Sequence, residues 1–439
     1  MGRRLFGTDG VRGLAGVEIT AALALGLGRA VVMHSGLAAP RALVIRDTRE
    51  SGEMLEAALA AGIASAGGEV SLGGVLPTPA APLLVRRHGF DLAVVISASH
   101  NPYADNGIKF FGSDGFKLSD QTEQEIELHV HEDTGGGGAQ IGRIQQLHGT
   151  SEDYLSELQQ RFAGLSLAGV DVVLDCANGA TFEVAPEIFS RLGARVTAVA
   201  AAPDGRNIND GCGSTHLDAL ARTVREGNHD LGFAFDGDGD RVLAVDRDGT
   251  LVDGDELLAL AAIHLRESGR LAGTGVVVTV MTNYGFHAAM AAAGVEVATT
   301  AVGDRYVLEG LRERGWALGG EQSGHIIELG FGPSGDGIAA ALLVLEALGG
   351  GDLHERAAMA KLPQRLVNVA VRDRGAFAGA LGVQEAVDRE AATLAGRGRV
   401  LVRPSGTEPL VRVMVEAPSV EETDAVCARL VAVVTEALG

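Results

Sequence analysis

The chain is poor in cysteine and in positive charge, and it has no long apolar run. Among 439 residues there are three cysteines, Cys176, Cys212 and Cys427. Their number is odd, their spacing is wide and no C-x-x-C occurs. That argues against a disulfide framework and a zinc site, and it suits a reducing cytoplasm. Lys and Arg total 36 against 57 Asp and Glu, for a net charge of −21. A broad nucleic-acid surface or a patch for an anionic membrane is therefore not expected. A small anionic substrate remains allowed, provided that Arg and Lys are gathered locally against the overall field. Nowhere does a run of about 18 apolar residues occur, so no membrane span is expected. The Arg3-Arg4 pair does not start an export signal, because Asp9 and Arg12 interrupt the stretch that would have to be apolar.

What is abundant is glycine, at 62 residues. Much of it lies in G-x-D, D-G and S-G pairs, which read as tight loops where backbone approaches something closely. The one tract, Gly135 to Gly138, reads as a flexible surface loop. At roughly 100–200 residues per domain the chain has room for three or four domains.

A repeat organises them. Residues 42–73, 170–199 and 275–302 each run through an apolar strand, a polar turn, a helical stretch, a glycine stop and a second β-rich run. This is one βαβ unit seen three times. Each is followed by a short strand ending in a polar loop: D-L-A-V-V-I-S-A-S-H-N-P at 91–102, L-G-F-A-F-D-G-D-G-D-R at 231–241 and W-A-L-G-G-E-Q-S-G-H at 316–325. Parallel sheets bind ligands beyond the carboxyl ends of their strands, so each domain offers a chemical loop at the equivalent edge. The expected fold is α/β: three similar domains with mixed, mainly parallel sheets at 1–150, 151–255 and 256–364, then an α+β domain at 365–439. H-G-T-S-E-D-Y at 148–154 reads as a linker supplying an N-cap to the next helix. The tail should hold a strand at 365–371, a helix near 383–396 and a last helix from about 419.

Four loops carry chemistry. In D-G-D-G-D-R, Asp236, Asp238 and Asp240 are separated only by glycine. Two like charges about 4 Å apart cost on the order of 4 kcal/mol at an effective dielectric of 20. A divalent cation relieves that cost, and hard oxygen ligands suit Mg²⁺ or Mn²⁺. An EF-hand is excluded because its sixth and twelfth positions would be Arg241 and Arg247. In V-I-S-A-S-H-N-P, His100 follows Ser99 directly, which is poor geometry for a catalytic triad. Ser99 instead suits a phosphoryl carrier whose charge sits on the metal held by the aspartates. G-E-Q-S-G-H offers Glu321 and Ser323 for sugar hydroxyls or an ammonium, and His325 reads equally as a structural hydrogen-bonder. R-P-S-G-T-E-P offers Arg403, Ser405, Gly406 and Thr407, with Arg412 on the next strand, as a phosphate cradle. The plainer reading of each loop, taken singly, is a turn without a ligand.

Together with F-G-T-D-G-V-R-G at 6–13, these motifs resemble the α-D-phosphohexomutase superfamily, in its order and spacing and from residue 6 to the last helix. The first motif and G-E-Q-S-G-H are similar to the branch that acts on amino sugars. The resemblance implies four domains around a central cleft. It implies a phosphorylated Ser99, Mg²⁺ on Asp236, Asp238, Asp240 and the Ser99 phosphoryl, and catalytic roles for His100, Lys109 and Arg12. It also implies sugar contacts from Glu321, Ser323, Gly303 and Asp304. The implied reaction interconverts glucosamine 6-phosphate and glucosamine 1-phosphate through glucosamine 1,6-bisphosphate, which also serves as activator, in a step that feeds UDP-N-acetylglucosamine and cell-wall synthesis. It implies a cytoplasmic enzyme compatible with a homodimer, with no nucleic-acid or membrane partner. Rival readings are a mutase for glucose or mannose phosphates, a non-catalytic phosphosugar-binding protein, and a metal-dependent phosphatase.

Overall fold

The computed structural model describes residues 5–7, 9–130, 141–405 and 408–439, Arg374 by its backbone alone. The Gly135–Gly138 tract, Gly406 and Thr407 lie outside the described residues. By packing, the chain divides into two compact units, Met1–Val280 with Ala298–Arg356, and Met281–Val297 with Ala357–Gly439.

Three sheets share one strand order. In the first, Glu69–Val75, Arg41–Arg46, Leu92–Ile96 and Asp105–Gly112 are successive neighbours, flanked by Ile144–Gln146 and Val11–Leu14. In the second the corresponding strands are Arg195–Val199, Asp171–Asp175, Leu231–Phe235 and Val242–Asp246, followed by Leu251–Val252. In the third they are Glu296–Thr300, Gly275–Thr279, Leu318–Gly320 and Ile326–Glu328. The strand that follows each βαβ unit pairs parallel with the unit's first strand, and the strand after that returns antiparallel. Leu92–Ile96, Asp171–Asp175, Leu231–Phe235 and Gly275–Thr279 are buried along their whole length. Sheets covered by helices on both faces need such unbroken apolar runs. The mainly parallel α/β repeat read from the sequence is therefore the observed one, and its three polar loops occupy one topological position.

One local expectation changes. The helix Thr150–Arg161 starts from Gly149 in the left-handed region, without a side-chain cap. Thr150 Oγ1 instead donates to the Gly73 carbonyl at 2.9 Å, which uses the hydroxyl to fix the linker to the first sheet. The helix Tyr284–Ala292 lies between Gly275–Thr279 and Glu296–Thr300, as the third repeat requires, and by packing it groups with the unit that holds the tail. There Glu416, fully buried, accepts from the Tyr284 N–H at 2.8 Å, and Asn283 donates to the Leu362 carbonyl at 3.0 Å. The rest of that unit is an antiparallel sheet of Gln364–Ala370, Leu410–Glu416 and Arg399–Pro404. The helices Leu381–Thr393 and Val420–Leu438 cover it, around Val369, Val411, Val413, Leu430 and Val434. Among the described residues no helix is long and apolar enough to cross a membrane.

One buried acid in the larger unit gives a stability prediction. Asp336 caps the helix Gly337–Leu348 and accepts from the Tyr154 hydroxyl at 2.9 and 3.0 Å. Burial outweighs these bonds and pushes its carboxyl up to about 6. An acid whose pKa is raised by folding binds its proton more tightly in the folded state. Its contribution to stability is therefore full below about pH 4 and is lost as pH rises through about 6. Asp336→Asn keeps the cap acceptor and removes the titration. Chemical denaturation should show that the variant lacks a loss on the order of 2 kcal/mol that wild type suffers between pH 4 and 7.

Candidate active site

Ser99 stands just beyond the carboxyl end of Leu92–Ile96 at a φ of 53°, a left-handed conformation uncommon for a residue with a side chain. It is 1 % exposed, and its Oγ donates to Asp236 Oδ2 at 2.5 Å across 137 residues of sequence. The neighbouring serine is spent on structure. Ser97 Oγ donates to Asp47 Oδ2 at 2.6 Å and accepts the Ser99 N–H at 2.9 Å. His100 Nδ1 lies 3.4 Å from Ser99 Oγ, and its pKa is lowered by burial and then by Arg241 and Arg12.

The aspartate loop meets this serine because of its glycines. A Cβ on Gly237 would fall 2.6 Å from the Ser99 carbonyl oxygen and 2.7 Å from Asn209 Nδ2, so only glycine lets the two loops touch. Carboxylate oxygens of Asp236, Asp238 and Asp240 lie within 4.8 Å of one another, and all three residues are buried. Asp238 Oδ2 accepts from Thr78 Oγ1 at 2.7 Å and Lys109 Nζ at 2.8 Å. Oδ1 of Asp238 and Oδ1 of Asp240 are buried without a hydrogen-bond donor among the described residues. Burial, then Asp240 and Asp238, drive the Asp236 pKa well up. Burial acts the same way on Asp238, but Lys109 and the Thr78 hydroxyl outweigh it and hold that carboxyl below its usual range. Three converging buried carboxylates with two orphaned oxygens are a donor set that fits a hard divalent cation.

Around the triad lies a ring of alternating charge. Lys109 is 1 % exposed; burial opposes its ammonium, but Asp238, Asp9 at 3.0 Å and Asp240 at 3.8 Å together raise its pKa. Asp9 also takes Arg12 and Lys117, and Lys117 reaches on to Asp304. His325 Nε2 is 3.8 Å from both Asp240 and Asp304. Glu321 Oε1 accepts from the Gly303 N–H at 2.9 Å, which ties the 303–305 segment to the G-E-Q-S-G-H loop. Ser323 in that loop is exposed. Of the residues picked out by sequence, Ser99, His100, Lys109, Arg12, the three aspartates, Glu321, Gly303, Asp304 and His325 are thus gathered in one unit.

All four parts of one family match in order. They are "Phosphoglucomutase/phosphomannomutase, alpha/beta/alpha domain I" at residues 3–135, domain II at 152–249, domain III at 253–365 and the C-terminal domain at 366–433. The chain belongs to this phosphohexomutase family. A phosphoglucosamine mutase of Desulforudis audaxviator is 53% identical over 447 residues, covering 98% of each chain. A solved phosphoglucomutase/phosphomannomutase family protein of Burkholderia thailandensis has the same fold, with a TM-score of 0.83 at 24% identity over 99% of this chain and 97% of that one. Aspergillus fumigatus N-acetylphosphoglucosamine mutase, solved with GlcNAc-6P and magnesium, shares the fold with a TM-score of 0.70 at 20% identity, over 99% and 96% of the two chains.

In the smaller unit of this phosphohexomutase, the strands Arg399–Pro404 and Leu410–Glu416 on either side of R-P-S-G-T-E-P pair antiparallel. Arg403 and Arg412 are direct cross-strand partners there. Arg403 NH2 touches Met281 Sδ at 3.8 Å, and Arg412 lies 3.7 Å from Glu408. The Ser405 N–H donates to the Leu410 carbonyl at 2.8 Å.

Sequence reasoning passed over Asp9 as a chemical residue and did not mark Thr78, Lys117, Asp47, Arg49 or Asn209. Asp9 lies in F-G-T-D-G-V-R-G, where D-G by itself signals a turn. The others lie in L-P-T-P, G-F-K-L, R-D-T-R and N-I-N-D, which have no spacing that signals chemistry.

Proposed function

We propose that this phosphohexomutase is a phosphoglucosamine mutase that carries the phosphoryl group on Ser99. The observation that carries the reading is the 2.5 Å bond from Ser99 Oγ to Asp236. It sets a hydroxyl beside an acidic triad whose donor set fits a divalent ion. In the first half-reaction the Oγ–P bond of phospho-Ser99 breaks, a P–O bond forms to the free hydroxyl of the hexosamine phosphate, and that hydroxyl's proton is relayed to Ser99 Oγ. The 1,6-bisphosphate turns over. Its other P–O bond then breaks, Oγ–P re-forms, and the proton returns to the sugar oxygen. Mg²⁺ on Asp236, Asp238, Asp240 and the Ser99 phosphoryl would offset charge on the transferring group.

This chain's own residues do the rest. Lys109, kept charged by Asp238 and Asp9, supplies positive charge and a proton on the serine side. Arg12 and His100 complete that wall. Glu321 and Ser323, with Gly303 and Asp304, face the sugar, and the carboxylate of Glu321 favours an ammonium at C2. For the smaller unit the same reading assigns Arg403, Ser405, Gly406, Thr407 and Arg412 to phosphate binding. Two arginines facing each other across paired strands repel, and a phosphate between them turns that repulsion into a binding site. The divisions at about 150, 255 and 364 and a cytoplasmic location belong to the same reading; the three buried, unpaired thiols fit a reducing compartment.

A substrate panel tests it. With catalytic 1,6-bisphosphate present, kcat/KM for glucosamine 6-phosphate should exceed that for glucose or mannose 6-phosphate by about tenfold or more, the value of one charge-assisted contact. Equal or reversed preference would assign the chain to the glucose or mannose mutases. Release of inorganic phosphate without 1-phosphate would assign it to the phosphatases.

A further inference from the structure

Arg49 is the largest fully buried side chain of the protein's described residues, and no step above uses it. It follows the strand Arg41–Arg46 in R-D-T-R. Its guanidinium is held by Asp47, with Nε on Oδ2 at 2.8 Å, and both side chains are sealed from solvent. The remaining donors all point into the serine loop. NH2 donates to the carbonyls of Ser99 at 2.9 Å and Asn101 at 2.8 Å, and NH1 to those of Asp105 at 3.0 Å and Pro102. Asn209, from the second sheet's loops, donates to the same Ser99 and Asn101 carbonyls at 2.9 and 3.0 Å. Asp47 reaches the other side of Ser99 through Ser97, whose hydroxyl donates to Asp47 and accepts the Ser99 N–H.

Both peptide groups flanking Ser99 are therefore pinned by one buried ion pair. That matters because Ser99 sits at positive φ, a conformation that persists only where its surroundings over-determine it. Released, a serine relaxes to negative φ, and its Oγ swings off Asp236. A planar guanidinium can span four carbonyls at once; a lysine ammonium has three donors on a single atom and cannot.

We propose that Arg49, seated on Asp47 and joined by Asn209, is a positioning residue of the reaction: it holds Ser99 in the left-handed conformation that aims Oγ at the aspartate triad. The proposal rests on Ser99 as phosphoryl carrier. Arg49 is turned toward loop backbone, so its loss acts on the transfer step rather than on sugar binding.

The test uses the full-length enzyme and first confirms wild-type turnover and one phosphoryl mass on Ser99. Failure there overturns the carrier reading itself. Arg49→Lys should then lower kcat by about 100-fold, the effect of a displacement of roughly 1 Å at a reacting atom. KM should stay within about threefold, and the ³¹P resonance of the phosphoserine should broaden or shift. Should Arg49→Lys fail to fold, Asn209→Ala decides: kcat lower by about tenfold with KM unchanged. A folded Arg49→Lys or Asn209→Ala protein with wild-type kcat and ³¹P signal overturns the clamp, as does a rise in KM at constant kcat.

Discussion

Ser99→Ala should lose mutase turnover by about ten-thousand-fold or more, the scale on which removing a nucleophile acts. Nothing nearby can stand in for it. The Ser97 hydroxyl is committed to Asp47 and to the Ser99 amide. The His100 imidazole lies to one side, 3.4 Å from the Ser99 oxygen. The alanine fits the same space, so the fold and the sugar loop should be undisturbed. Glucosamine 6-phosphate should still bind to the variant within a few-fold of its wild-type affinity by calorimetry, while the phosphoryl mass disappears. A variant that kept substantial turnover would show that the phosphoryl group travels by another route.

Stripping divalent ions should silence the enzyme almost as completely, by about a thousand-fold or more, with recovery on adding Mg²⁺. The cause lies in the triad. Without a cation, burial and two neighbouring carboxylates push Asp236 toward protonation, and two buried oxygens are left without donors. Asp238→Asn should give a related but distinguishable result. It weakens Mg²⁺ binding in titration calorimetry, and it also removes the main partner of Lys109. The ammonium, 1 % exposed, then keeps only Asp9 at 3.0 Å and Asp240 at 3.8 Å as counter-charge. The variant should therefore be less stable by denaturation in the absence of metal as well, whereas chelation of wild type is reversible. A chelated enzyme with full activity would contradict the role given to the triad.

The parts of this protein that were legible in the sequence are those where local physics leaves little choice. Three aspartates spaced only by glycine converge, and an unbroken apolar run ending in hydroxyls marks a buried parallel strand that delivers a loop. The equivalence of the three sheets was likewise readable, because each repeat keeps the same succession of strand, helix and loop. The illegible parts depend on partners distant in sequence. R-D-T-R looks like a turn until Arg49 is seen beneath the carbonyls of residues 99–105. Asp9 looks like half of a D-G turn until Lys109, Lys117 and Arg12 close on it. H-G-T-S-E-D-Y looks like the source of a helix cap, but the Thr150 hydroxyl in it is drawn to Gly73. The helix Tyr284–Ala292 is drawn to the tail by a buried glutamate more than a hundred residues later.

The most direct measurement of the central claim is a pulse–chase on the serine. Enzyme labelled from ³²P-glucose 1,6-bisphosphate is mixed with excess glucosamine 6-phosphate and quenched on the millisecond scale. Label should leave the Ser99 peptide at least as fast as the enzyme turns over and appear first in glucosamine 1,6-bisphosphate. Label that stays on Ser99, or was never on it, while glucosamine 1-phosphate accumulates would contradict the account.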